Sequence, residues 1–269
     1  MTAPAEGPAP SVAEIIAVDG VELECVRLHR ERRAPTLVFL HEGLGSVAMW
    51  RDFPQRVAAA CACPALIYSR AGYGQSTPLV APRNADYMHV EALIRLPALL
   101  DRLAIERPIL VGHSDGASIA LIHAGAKLRP VRACVVLAPH VFVEDVSIAC
   151  IAAARDAYAN GAVRERLARY HRDVDSAFLG WNDVWLSPAF RAWNIETSVA
   201  AIDCPLLLIQ GRDDEYGTLA QLDAIERLAA GRVSRLVLDG CGHSPQRDQP
   251  DAVLNAIAGF ISALLRSPP

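Results

Sequence analysis

Residues 108–116 read Pro108-Ile109-Leu110-Val111-Gly112-His113-Ser114-Asp115-Gly116, and an alanine-rich stretch, Ala117 to Ala126, follows. The apolar triplet Ile109-Leu110-Val111 predicts a short buried strand, and the alanine run predicts a helix. Strand, Gly-x-Ser-x-Gly, helix is the arrangement of a nucleophile elbow. The turn is tight enough to hold the serine at a strained backbone angle. The flanking glycines let strand and helix pass close together. Ser114 is thereby lifted above the carboxyl end of the sheet. It also stands at a helix N-terminus, where unpaired N–H groups can meet a developing negative charge.

Working outward, strands and helices alternate on both sides of this turn. Glu14 to Val18 and Val21 to Leu28 form a hairpin across Asp19-Gly20. Strands follow at Thr36 to Leu40 and Ala65 to Tyr68, with a helix at Ala48 to Cys61 between them. Met88 to Leu103 is a helix, and Ala133 to Leu137 is the strand after the elbow. From about 141 to 200 the alternation stops. That stretch carries helical segments (Ile148 to Tyr158, Ala162 to Tyr170) and three of the four tryptophans, Trp181, Trp185 and Trp193. Strand and helix then resume at Pro205 to Ile209, Leu219 to Ala230, Ser234 to Leu238 and Asp251 to Leu265. Such alternation predicts an α/β fold with a mostly parallel, eight-stranded sheet covered on both faces. Its division is a tail over 1–13, a core over 14–140 and 201–269, and a helical insertion over 141–200, which the family resemblance given below implies is a cap.

With 269 residues the chain has ample core for one domain. A net charge of -4 without any polybasic run excludes the usual nucleic-acid footprint. No apolar run reaches membrane-spanning length, so no membrane partner is expected. Residues 1–11 lack the basic start and apolar stretch of a signal peptide and read as a poorly ordered tail. The seven cysteines are odd in number, and Cys61 and Cys63 stand one residue apart, which is not a zinc spacing. Cysteines in apolar runs, such as Cys134, read as small core residues in a reducing cytoplasm. No metal and no cofactor is expected.

Ligands in such sheets bind beyond the carboxyl ends of the strands. The loops there carry His41-Glu42-Gly43-Leu44-Gly45-Ser46, then Ser114, then Gly211-Arg212-Asp213-Asp214-Glu215, then Gly240-Cys241-Gly242-His243-Ser244-Pro245. A serine, an acid and a histidine follow in that chain order on successive strand ends. On these motifs, and on the glycine-rich loop Arg70 to Ser76, the chain from Val18 to Ser267 resembles the α/β-hydrolase superfamily. The resemblance implies that Ser114 is a nucleophile, activated by His243 as general base and later general acid. It implies Asp214, three residues after the glycine, as the acid that orients the imidazole, with Asp213 and Glu215 as alternatives on the same loop. His41, His113, His123 and His171 compete with His243 by type; His113 reads as structural within the elbow, and His123 as a core or surface residue. The resemblance places the oxyanion-hole N–H groups on Asp115 and Gly43.

Two residues depart from the commonest pattern of relatives: Glu42, where many have glycine, and Asp115, where many have methionine or glutamine. Either both carboxylates face substrate and favour a cationic acyl group, as in amino-acid ester hydrolases of similar elbow, or they have structural partners. For Glu42 that partner would be Arg70 or another nearby cation, while Asp115 would face solvent or cap a backbone group. Leu44, Trp181 and Trp185 are candidates for contacting substrate, and one or two of the six aromatics Tyr170, Phe178, Trp181, Trp185, Phe190 and Trp193 are expected at the pocket. The implied function is a serine hydrolase for a small-molecule ester or thioester. Alternatives are carbon–carbon bond hydrolysis of ring-cleavage products, amino-acid ester hydrolysis, and a ligand-binding protein on the same fold. A homodimer is compatible with a fold of this kind.

Overall fold

The computed structural model describes residues 12–266 of the chain, so most of the expected tail (1–13) and the last three residues lie outside the described residues. Eight strands form one sheet. They are β1 (Glu14–Val18), β2 (Val21–Leu28), β3 (Leu37–Leu40), β4 (Ala65–Tyr68), β5 (Ile109–His113), β6 (Ala133–Leu137), β7 (Leu206–Gly211) and β8 (Val233–Leu238). Their order is β1-β2-β4-β3-β5-β6-β7-β8. The β1–β2 and β2–β4 pairs are antiparallel, and all the others are parallel. The opening hairpin turns at Asp19 and Gly20 with φ of 48° and 75°, the left-handed pair that a tight two-residue turn requires.

The strand order places the site. After β3 the chain crosses to β4 on one side, then returns across β3 to form β5 on the other. The ends of β3 and β5 therefore lie side by side, with Leu40 paired to Gly112, and the loops beyond them diverge around a crevice. Because the parallel strands are covered on both faces, alternate residues feed two cores. Val38, Leu40, Leu110, Val136 and Leu208 pack on one side. Leu37, Phe39, Val111, Val135 and Ile209 pack on the other.

The helices are α1 (Phe53–Ala60), α2 (Tyr87–Val90), α3 (Leu96–Arg102), α4 (Asp115–Ala126), α5 (Asp145–Ala159), α6 (Ala162–Leu167), α7 (Val174–Leu186), α8 (Glu196–Ala200), α9 (Ala220–Leu228), α10 (Pro245–Asp248) and α11 (Pro250–Arg266). Two expected helices are interrupted. Ala48 to Cys61 splits into a 3-10 turn, Ala48–Trp50, and α1, because Arg51 breaks the run with φ 55° and ψ −131°. Met88 to Leu103 forms α2 and α3 joined through a π-turn, Glu91–Arg95. Pro97, which has no N–H to give the Leu93 carbonyl, accounts for the widened turn.

The segment between β6 and β7 leaves and returns at one point. Phe142 bridges Asn194, and the Ile195 N–H donates to the Val141 carbonyl at 2.8 Å. Within it α5, α6 and α7 pack on one another, whereas α8 packs on α4 and α9.

Candidate active site

The backbone forces the serine outward. Ser114 has φ 53° and ψ −119°, a region that side chains rarely occupy. A β-carbon on Gly112 would lie 2.3 Å from the Gly116 carbonyl oxygen, and one on Gly116 would lie 2.0 Å from the Leu40 carbonyl oxygen. Both obstacles are backbone, so strand and helix can meet this closely only at glycine.

His243 reaches Ser114 from the loop after β8. Its Nε2 lies 2.9 Å from Ser114 Oγ, and its Nδ1 lies 2.8 Å from Asp214 Oδ1. Asp214 also accepts the N–H groups of Tyr216 at 2.8 Å and Gly217 at 3.2 Å, and Oδ2 accepts from Gln210 at 3.1 Å. A carboxylate receiving these bonds needs Nδ1 of His243 to carry the proton, which leaves Nε2 free to accept from the serine hydroxyl. Burial pushes the Asp214 carboxyl up, and the hydrogen bond and charge of His243 more than reverse this, leaving it below the ordinary range. Of the three acids on that loop, Asp214 is the one hydrogen-bonded to the imidazole. Glu215 instead accepts the His243 backbone N–H at 3.1 Å.

The competing histidines are engaged elsewhere. His113 bonds the His243 carbonyl at 2.7 Å and Gln246 at 3.0 Å, holding the loop that carries His243. His123 is buried against the Ala92 carbonyl at 2.7 Å. His171 accepts from the Gly74 N–H and donates to the Leu44 carbonyl, both at 3.0 Å. It thereby ties together the loops after β3 and β4.

The loop after β3 is fixed by Arg70. His41 Nε2 accepts the Arg70 N–H at 3.0 Å, and the Arg70 guanidinium donates to the carbonyls of His41 at 2.6 Å and Glu42 at 3.1 Å. The peptide from Glu42 to Gly43 is trans. With its carbonyl turned to Arg70, its N–H points the opposite way. Gly43 and Asp115 both line the pocket above Ser114. Neither N–H has a protein acceptor among the described residues. A β-carbon on Gly43 would lie 2.2 Å from Trp181 Nε1, so the loop and Trp181 lie in close contact.

Of the structural partners expected for Glu42, Arg70 or another nearby cation, the structure shows the second, because the Arg70 guanidinium is turned to backbone carbonyls. The Glu42 carboxylate meets Arg247 at 3.1 Å and His113 at 3.4 Å. Burial opposes its ionisation, but His113 and Arg247 hold the carboxyl far below the usual range. Asp115 neither faces solvent nor caps the backbone. It is fully buried, accepts the Tyr87 hydroxyl at 2.6 Å and lies 3.7 Å from the Arg70 guanidinium. Trp185 Nε1 donates to the same Tyr87 hydroxyl at 3.0 Å. Burial raises the Asp115 carboxyl, partly offset by Arg70 and Tyr87, and its Oδ1 has no hydrogen-bond partner.

The pocket has a volume of about 430 Å³. Trp181, Trp185 and Leu44 line it as the sequence suggested. So does Tyr170, which makes three of the six aromatics where one or two were expected; Phe178, Phe190 and Trp193 pack in the core instead. Sequence reasoning missed His140, Tyr216 and Tyr87. Tyr216 packs on His243 with ring centroids 4.7 Å apart, and His140 lies 5.6 Å from the same ring. Tyr216, two residues beyond Asp214, was open to inference from its position. His140 carried no local signal, because only the register of β6 brings it beside His243. Among the described residues no cluster of three His, Cys, Asp or Glu side chains is arranged to hold a metal ion, and no helix is long and apolar enough to cross a membrane.

Burial, with His243 nearby, pushes His140 down to about 3. Its folded value is thus below the ordinary value near 6.5, so the unfolded chain binds a proton that the folded chain refuses. Stability is lost as pH falls from about 6.5 towards 3, by at most about 1.4 kcal/mol per pH unit for this group. Urea midpoints should therefore drop between pH 7.5 and 5, and His140→Gln should flatten the slope. An unchanged slope in that variant would contradict the assignment.

Comparison with known proteins fits this geometry. The model of the Alpha/beta hydrolase family matches residues 37–256. A protein named "Putative carbamate hydrolase RutD", from Pseudomonas savastanoi pv. phaseolicola, is 27% identical over 263 residues, covering 88% of this chain and 98% of that protein. Among solved structures, the haloalkane dehalogenase DbeA from Bradyrhizobium elkani superposes with a TM-score of 0.76 at 21% identity, covering 94% of this chain and 98% of that one. The enol-lactonase from Burkholderia xenovorans gives 0.72 at 20%, covering 93% and 100%. At such identity these structures share the fold alone. The family model spans more than half of the sequence, and the chain belongs to the alpha/beta hydrolase family and is a hydrolase enzyme.

Proposed function

We propose that this hydrolase cleaves a small carboxylic ester or thioester through an acyl-enzyme on Ser114. The observation that carries the reading is the unbroken hydrogen-bonded line from Ser114 Oγ through His243 to Asp214, at 2.9 and 2.8 Å, opening on a pocket. His243 Nε2 takes the hydroxyl proton as Oγ attacks the carbonyl carbon. The oxyanion that forms is met by the N–H groups of Gly43 and Asp115. The imidazolium, stabilised by Asp214, then protonates the leaving alkoxide or thiolate. Water enters, gives its proton to the same imidazole and releases the acid. This chemistry calls for no cofactor.

A carbamate presents the same kind of carbonyl to the same serine, and the name of one relative carries that word. A series of p-nitrophenyl esters from acetate to decanoate, with benzoate, an aminoacyl ester and a carbamate added, tests the reading. Turnover with a preference among acyl groups is expected. Silence on every substrate would overturn ester hydrolysis and shift attention to carbon–carbon bond hydrolysis.

A further inference from the structure

The pocket walls carry two carboxylates, Glu42 and Asp115, and three guanidiniums, Arg51, Arg166 and Arg247. Both carboxylates are already matched. Glu42 pairs with Arg247 at 3.1 Å, and Asp115 lies 3.7 Å from buried Arg70, just behind the wall. Arg51 and Arg166 are left over. Both are exposed, and neither makes an ion pair among the described residues. Several other arginines of the chain do have acidic partners. Arg164, two residues before Arg166 on the same helix, pairs with Asp175, and Arg155, Arg191 and Arg235 each have an acidic partner.

The backbone of Arg51 is itself unusual. Its φ of 55° and ψ of −131° lie in the same sparsely populated region as those of Ser114. A non-glycine residue held there at the rim of a pocket is a strained one, and such strain clusters at ligand sites. The chain as a whole carries a charge of -4, so a positive rim here is local to the pocket and runs against the average surface.

We propose that the substrate carries an anionic group, a carboxylate or a phosphate, on the part that reaches the pocket mouth, where Arg51 and Arg166 receive it. This rests on the reading of Ser114 as the nucleophile. A cationic acyl group fits poorly. Placed against Asp115 it would meet the field of Arg70, and placed at the mouth it would meet two unpaired guanidiniums.

The test compares matched substrates that differ in one anionic group. On the acyl side these are mono-p-nitrophenyl adipate and p-nitrophenyl hexanoate. On the leaving side they are hexanoyl-coenzyme A and hexanoyl-N-acetylcysteamine. The anionic member of one pair should have the higher kcat/KM by roughly tenfold at low salt. Each exposed arginine supplies about two- to fivefold of that. The pair that shows the preference tells carboxylate from phosphate. The ratio should collapse towards one in the Arg51→Ala, Arg166→Ala double variant and in 0.5 M salt at roughly a 4 Å screening length, and it should largely return with lysine at both positions. Equal turnover within both pairs, or a preference that survives the double alanine variant, overturns the proposal while ester hydrolysis stands. If no member of either pair is hydrolysed, the nucleophile reading fails. Calorimetric titration of adipate and of coenzyme A into the Ser114→Ala protein then decides: binding lost with the two arginines supports the anion site, and no binding rejects it.

Discussion

Ser114→Ala is expected to lower ester kcat by roughly 10⁴- to 10⁶-fold, the range seen when the nucleophile of such a triad is removed. The residue left behind cannot form an acyl-enzyme, so any remaining turnover must come from water attacking directly within the oxyanion hole. The loss should be kinetic and not structural. Ser114 Oγ contacts His243 at the surface of the pocket and has no other side-chain hydrogen bond. Alanine meets the same backbone strain at φ 53° that serine does. The melting temperature should therefore stay within about 3 °C of wild type, an effect near 1 kcal/mol for a chain of this size. Circular dichroism and thermal melts run beside the assay separate the two outcomes. Turnover within tenfold of wild type would sink the nucleophile assignment.

Asp214→Asn is expected to cost about 10⁴-fold in kcat with the fold intact. Asp214 is surrounded by donors: His243 Nδ1–H, the Tyr216 and Gly217 N–H groups, and Gln210. Asparagine offers one acceptor oxygen and one donor nitrogen. If its oxygen keeps the Tyr216 and Gly217 bonds, its amide group opposes the Gln210 amide. If its nitrogen turns to His243, the imidazole must present Nδ1 as an acceptor and move its proton to Nε2. In that tautomer it no longer takes the proton of Ser114. Asp213→Asn is the control, because Asp213 is not bonded to the imidazole, and it should stay within a few fold of wild type. A large loss in Asp213→Asn with little in Asp214→Asn would reverse the two.

The parts of the fold and site that rest on local chemistry were legible in the sequence. The elbow showed because only glycine fits at 112 and 116, and because a serine between a buried strand and a helix has few other readings. The hairpin at Asp19-Gly20 showed because the turn demands left-handed backbone. The strands were visible as apolar runs, and the chain order of Ser114, Asp214 and His243 followed from where those runs end. What escaped notice depends on contacts between distant segments. That Glu42 would find a cation could be foreseen but not which one: the Arg70 guanidinium is occupied by the carbonyls of His41 and Glu42, while Arg247 comes from a helix 205 positions away to meet the carboxylate. Asp115 reads from the sequence as facing substrate or solvent or capping the backbone, but the first turn of α4 points it inward to Tyr87. The break at Arg51 is a departure from helical pattern that packing decides, whereas the π-turn has a local cause in Pro97 that a reading by apolar periodicity passes over. His140, Arg51 and Arg166 have no motif around them, and only the folded chain assembles them at one pocket.

The central claim is that Ser114 forms the covalent intermediate. The most direct measurement is peptide mass mapping after labelling with a fluorophosphonate, which phosphonylates a serine only when a neighbouring base activates it. A single adduct on the peptide containing Ser114 is predicted, absent from Ser114→Ala and strongly slowed in Asp214→Asn. Ester turnover by a protein that carries no adduct at Ser114, or carries it on another residue, would contradict the account.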